Sequence, residues 1–285
     1  MALTLTGINT GVIRNGNQFQ ALALNLKHEQ NDTSLIFIPA LQLRDLYLCF
    51  EHRLSLQNQR NSKEKAAFKK SQDTATQAML NNIPPLTQKQ LQEADVRLRV
   101  EKLEPRASHA GGFQLAFSLQ GGDSLLLQLE DAQIALVISA ISHAINNAGM
   151  HKLSLRISSL LDFLPMYDAD IKSNGEMEYD NYPHPAWKLA LFTHYMALVY
   201  HYTDSNGQDC ACGTIVKSRI RGEMKETAAI ARRLLAFSPR LKKLEGKPCR
   251  ITVATIASGA GHFPRERCLK ALHQLYQSTL SATAE

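Results

Sequence analysis

Between His109 and Gly149 the apolar positions first alternate and then change period. Leu115, Phe117 and Leu119 recur at every second residue, with Ala116 and Ser118 between them, as in a half-buried strand. Gly121-Gly122-Asp123 supplies a tight turn, because glycine reaches positive φ without steric cost, and residues 124–129 run back as a second strand. From Asp131 the period becomes helical. Ile134, Val137, Ile138, Ile141 and Ile145 share one face, Asp131 stands at the N-cap, and Asn146-Asn147-Ala148-Gly149 ends the helix.

The same order occurs once before, over residues 16–54. Phe19 aligns with Phe113, residues 22–26 with 115–119, residues 34–37 with 124–127, His52 with His143 and Leu54 with Ile145. A further strand is predicted ahead of each copy, at 3–9 and 96–103. Residues 1–150 thus read as two tandem modules of three strands and a helix, either by internal duplication or as two similar solutions to one packing problem. A polar arm joins them at about 55–94. Its first part, 55–78, lacks Gly and Pro and is rich in Gln, Asn, Lys and Ser, which suits a solvated helical extension or a flexible arm. Lys63, Lys65, Lys69 and Lys70 there fit a solvated face better than a phosphate site. Pro84-Pro85 ends this stretch, and Thr87 with Gln90 offers a capping box for a short helix.

In residues 151–285 the pattern is looser. Residues 153–157 alternate as a strand, and 162–185, acidic and dotted with Pro, Gly, Tyr and Asn, read as a long irregular loop. A strand over 195–202, a turn at Asn206-Gly207, a return over 213–221 and a helix over 223–237 repeat the module a third time. That helix is expected to turn Met224, Ala228, Ala231, Leu234 and Leu235 inward. A strand over 250–256 and a last helix, with Pro264 in its first turn, complete the chain. The fold class is therefore α+β, built of repeated antiparallel strand-strand-(strand)-helix modules in two halves.

Composition narrows the function classes. The chain has 285 residues, 44% of them hydrophobic, yet no apolar run approaches the roughly 20 residues that span a bilayer. The opening MALTLTGINTG has neither the basic start nor the apolar core of a secretory signal. Five cysteines, an odd number at 49, 210, 212, 249 and 268, suit a reducing cytoplasm better than a disulfide framework. A cytoplasmic protein without membrane contact is expected.

Charge adds the strongest lead. The formal net charge is +6, but residues 213–250 hold eleven Lys and Arg against three Glu, while 162–180 hold six acids against Lys172. Lys217, Arg219 and Arg221 alternate on the expected strand, which would place them on one sheet face away from the core. Arg232, Arg233, Arg240, Lys242 and Lys243 follow on the next helix and its exit. Such a row neutralises phosphates and releases counterions, and Tyr195, Tyr200 and Tyr202 on the neighbouring strand could stack on bases. The competing reading pairs these cations with the acidic 162–180 stretch of the same chain.

Other candidate chemistry is thinner. His184, His194, His201, Cys210 and Cys212 fall in one segment, but Cys-x-Cys is not the two-residue spacer usual in structural zinc sites, so neither metal nor cofactor is expected. His194 and Asp204 lack a nucleophile elbow or a paired-carboxylate spacing that would make them an acid–base pair. Residues 258–261 resemble an anion-binding turn, but Pro264 sits where a third glycine would be and no Gly-Lys-Ser/Thr follows.

The opening GINTGVIRNGNQFQALALNLK and the overall layout resemble the YjeJ-like family of uncharacterised enterobacterial proteins. The resemblance implies no activity and carries over no site. Tandem modules of strands and a helix are also similar in outline to the single-stranded-DNA-binding whirly proteins, an analogy of fold alone. The expected function is non-enzymatic nucleic-acid binding through the basic surface of the second half. An adaptor or inhibitor acting on another protein is the alternative, and an enzyme of unknown class comes third. The sequence does not give the oligomeric state.

Overall fold

In the computed structural model the described residues are 2–58, 61–109, 111–159, 161–172, 174–259 and 263–281. They form two compact units, Met1–Ser158 and Ser159–Glu285.

The first unit contains the two modules. Strands β1 (Leu3–Asn15), β2 (Gln18–His28) and β3 (Thr33–Ile38) lead into helix α1 (Ala40–Asn58), and strands β4 (Val100–Ala107), β5 (Gly112–Leu119) and β6 (Ser124–Glu130) lead into α4 (Ile134–Asn147). Each triplet is an antiparallel meander, and the sheet order is β3-β2-β1-β6-β5-β4. The triplets meet through parallel pairing of Leu3 with Leu127. An isolated parallel bridge from Phe37 to Arg99 brings the outer ends of the sheet together. Phe37 and Leu127 are equivalent in the two modules, and so are the starts of β4 and β1. The two parallel junctions are therefore related by the repeat, and the sheet curls towards a closed barrel.

Alternation puts Leu22, Leu24 and Leu26 of β2 and Leu115 and Phe117 of β5 in the buried interior, with Leu46 and Phe50 of α1 and Val137, Ile141 and Ile145 of α4. Ile138 is only half-buried. Asp131 does not cap α4. It lies in a short 3-10 turn whose capping box is made by Glu130 and Gln133. Its buried carboxylate instead takes Arg53 Nε and Nη2, both at 2.7 Å, and Gln57 Nε2 from α1.

The polar arm is ordered helix. Asn61 and Glu64 form a capping box at the start of α2 (Ser62–Leu80), which buries Met79 and half-buries Phe68, Gln72, Ala75 and Thr76. Thr87 and Gln90 do the same for the short α3 (Gln88–Gln92). The segment between them is pinned to the sheet: Asn9 and Asn25 donate to the carbonyls of Pro84 and Pro85 at 2.8 and 2.6 Å. Residues 96–98 are a 3-10 turn, so the expected strand over 96–103 starts later. Residues 153–157 lie in a helix, α5 (His151–Ser159), not in a strand.

The second unit is a five-stranded antiparallel sheet in the order β11-β9-β10-β7-β8. Its strands are β7 (Phe163–Ile171), β8 (Met177–Asn181), β9 (His194–Thr203), β10 (Asp209–Ser218) and β11 (Arg250–Ser258). The acidic stretch expected to be a loop is thus the β7–β8 hairpin. Helix α7 (Thr227–Phe237) covers one sheet face, where Met196, Leu198, Tyr200 and Val216 meet Ile230, Leu234 and Leu244. Helix α8 (Arg265–Ser281) covers the other, where Tyr195, Ala197, Val199 and Ile215 meet Cys268 and Leu272. α6 (Ala186–Ala190) is a single short turn of helix. Helix α7 starts at Thr227, so Met224 and Ala228 are exposed, and Thr227 and Ile230 take the inward places expected for them.

Candidate nucleic-acid interface

The basic strand is not a solvent-facing row. Strand β10 ends at Ser218, and every residue from Ala211 to Ser218 is buried, because helices cover both faces of the sheet. Lys217 is 0% exposed; its Nζ donates to the Leu189 carbonyl at 2.7 Å and lies 4.9 Å from the Tyr195 ring centroid. Burial lowers its pKa, since the charged form is the one desolvated. Tyr195 and Tyr200 are buried on opposite faces. The Tyr195 hydroxyl accepts from the Phe263 amide at 3.1 Å, and Tyr200 donates to the Ala231 carbonyl at 2.9 Å. Neither presents a ring to a base. Tyr202 is half-buried beside Cys212, and burial, with the nearby thiol, pushes its phenol up to about 12.

Three of the remaining cations are paired within the unit. Arg233 Nη1 meets Asp162 at 2.7 Å. Arg240 reaches across the β7–β8 hairpin: Nη1 donates to Asp170 at 2.8 Å, Nε to Asp180 at 2.6 Å and Nη2 to Glu178 at 3.4 Å. Lys243 bonds the second Asp170 oxygen, to which the Cys212 thiol also donates at 3.1 Å. These bonds outweigh burial and hold the Asp170 carboxyl below its ordinary range. Burial works against the Lys243 ammonium, yet the Asp170 bond holds it above its usual range. Burial and the Asp170 bond push the Cys212 thiol up to about 12, which keeps it protonated at neutral pH.

The cluster has an inner member that the sequence reading missed. Asp168, 0% exposed, lies on the same strand face two residues before Asp170. The Tyr182 hydroxyl donates to its Oδ2 at 2.9 Å, and its Oδ1 has no partner among the described residues. Burial, with Asp168 beside it, raises the Tyr182 phenol. The signal lay in Asp168-x-Asp170 and Glu178-x-Asp180, two period-two acidic pairs on facing strands.

Arg219, Arg221, Arg232 and Lys242 remain. Arg219 follows the end of β10 with its guanidinium 5.4 Å from the Phe192 ring centroid, and its buried Nη2 has no acceptor among the described residues. Arg221 precedes α7 and is exposed, as are Arg232 on α7 and Lys242 in the 3-10 turn after it.

Of the metal candidates, Cys212 bonds Asp170, Cys210 is a half-buried free thiol, and each histidine has a partner of its own. His184 meets the Pro165 carbonyl at 2.6 Å, His194 meets Ser258 at 2.9 Å, and His201 meets Thr279 at 2.6 Å while stacking on Tyr276. Among the described residues no group of three or more His, Cys, Asp or Glu is placed to hold a metal ion. Residues 260 and 261 of the 258–261 turn fall outside the described residues.

Comparison with known proteins bears on kinship. The model of the YjeJ-like family matches residues 1–282. The chain belongs to the YjeJ-like family. A relative of the family in Escherichia coli (strain K12), the uncharacterized protein YjeJ, is 42% identical over 285 residues, spanning 100% of this chain and 99% of the relative. No solved structure matches the chain. This YjeJ-like chain has two period-matched modules followed by a five-stranded unit, and no helix among its described residues is long and apolar enough to cross a membrane.

Proposed function

We propose that this YjeJ-like protein binds nucleic acid without catalysing a reaction, holding phosphates on Arg219, Arg221, Arg232 and Lys242 of its second unit. The observation that carries this is Arg219. A buried guanidinium N–H left without an acceptor carries a desolvation cost, and swinging this half-buried side chain outward onto a phosphate oxygen would relieve it. Arg221, Arg232 and Lys242 add exposed charge on the same stretch of chain. The acidic hairpin absorbs Arg240 and Lys243, and Asp162 absorbs Arg233, so these three are structural in this reading.

Fluorescence anisotropy with single- and double-stranded oligonucleotides at several salt concentrations tests it. Each of Arg219→Ala, Arg221→Glu, Arg232→Glu and Lys242→Glu should leave one phosphate unneutralised and flatten the slope of log affinity against log salt by about one. Absence of binding by the parent at low salt would refute the reading. Capture of a protein partner would then be the experiment to pursue.

A further inference from the structure

Helix α8 ends against the sheet through a histidine. His201, near the end of β9, is half-buried, with its ring stacked on that of Tyr276, centroids 5.8 Å apart and planes 15° from parallel. Its Nε2 lies 2.6 Å from Thr279 Oγ1. The Thr279 hydroxyl gives its single proton to the Tyr276 carbonyl, at 2.6 Å, so the histidine is the donor of this pair. The neutral ring therefore carries its proton on Nε2 and a lone pair on Nδ1. Thr279 and Tyr276 are both buried, towards the end of α8. Arg250 of β11 holds the same residue, donating from Nη2 to the Thr279 carbonyl at 3.2 Å.

A second proton on the ring would disturb this arrangement for a reason set by strand register. Arg250 stands directly opposite His201 across the β11–β9 pair, and like charges so placed are unfavourable. The groups that face His201 are Arg250 from β11, Asp209 from β10, and the uncharged Tyr276 and Thr279 from α8. The carbonyl end of α8, which would welcome a cation, is already served by Arg250. Burial first, and Arg250 second, disfavour the charged ring. Asp209 favours it and is outweighed, so the His201 pKa lies below its usual value. His273, on the same helix, lies against Gln277 and Gly175.

We propose that His201 is a proton-operated latch: with its ring neutral it fastens the last turn of α8 to the sheet, and with its ring charged that turn lets go and uncovers Tyr276. The latch shares no residue with the interface proposed above, so either can fail alone. A group whose folded pKa is depressed adds stability above its unfolded value, here about 6.5, and that stability is lost as pH falls below it. Hydrogen exchange of the full chain, followed by mass spectrometry over residues 272–281 and corrected for the intrinsic pH dependence of exchange, tests the latch. Between about pH 7.5 and about pH 5.5, above the range where carboxylates titrate, protection of the parent should fall about threefold or more. His201→Gln, whose amide keeps a donor but cannot titrate, should give equal protection at both pH values. Thr279→Val, which lacks the acceptor, should give low protection at both. His273→Gln should keep the pH dependence of the parent. Parent protection that does not change with pH, or a fall that persists in His201→Gln or Thr279→Val, would overturn the proposal.

Discussion

Asp170 accepts from Arg240, Lys243 and Cys212, so the acidic and the basic stretches of the chain meet at this one carboxylate. Replacing Arg240 with Met would leave Asp170, Asp180 and Glu178 without their shared donor. A fully buried pair broken on one side costs about 3–5 kcal/mol. Arg240 is 16% exposed but its acids are 34–69% exposed, so about 1–3 kcal/mol is expected for Arg240→Met, read as a shifted urea midpoint. The pH dependence has a definite sign. The folded Asp170 pKa lies below its unfolded value, so its contribution is present at neutral pH and is lost as pH falls from about 4 towards the depressed folded value. The parent should lose stability over that window more steeply than the variant does. Lys217 gives a second test. Lys217→Met should change stability by less than about 1.5 kcal/mol, because it replaces a buried charge with a chain of similar size. Lys217→Glu, which puts a carboxylate in that site, should cost more than about 3 kcal/mol. The sequence showed the alternation of Lys217, Arg219 and Arg221 correctly as spacing. It could not show that helices cover both sheet faces, and this is what turns an outward lysine into a buried one.

Among the elements, the first unit was the more legible part. Its strands are long enough for period two to be unmistakable, and α4 has its apolar face at helical spacing. The misreadings fell where the segment was short or polar. Residues 153–157 fit both periods, because Leu153 and Ile157 are two residues of a strand face apart twice over and also one helical turn apart. The β7–β8 hairpin hid behind its acids, which suggest a loop by composition although they alternate as a strand does. Two places where elements join can be tested directly. A Cβ on Gly7 would come within 2.0 Å of the Asn82 carbonyl oxygen, so Gly7→Ala must push the end of the arm off β1. A cost of about 1–3 kcal/mol is expected from chemical denaturation. Arg53→Met, which strands the buried Asp131 carboxylate between α1 and the start of α4, should cost about 2–4 kcal/mol.

At the scale of the whole molecule, each unit has its own buried core, and the chain's one tryptophan, Trp187, lies in the second. Its fluorescence should follow the second unit alone. Arg240→Met should shift the fluorescence midpoint in urea, whereas Gly7→Ala and Arg53→Met should shift the circular-dichroism transition and leave the fluorescence midpoint in place. Coincident shifts of both signals in all three variants would show that the units unfold as one. The paired parallel junctions of the first unit, Leu3 with Leu127 and Phe37 with Arg99, carry a consequence of a different kind. A half-turn about an axis between the modules exchanges one junction for the other, so the surface that each meander offers is the surface it accepts. Such self-complementarity is the geometry of a two-fold homodimer. A fragment of residues 1–94, separated from its twin, should seek a second copy of itself, and sedimentation equilibrium should find it as a dimer: one gene's worth of barrel rebuilt from two half-length chains.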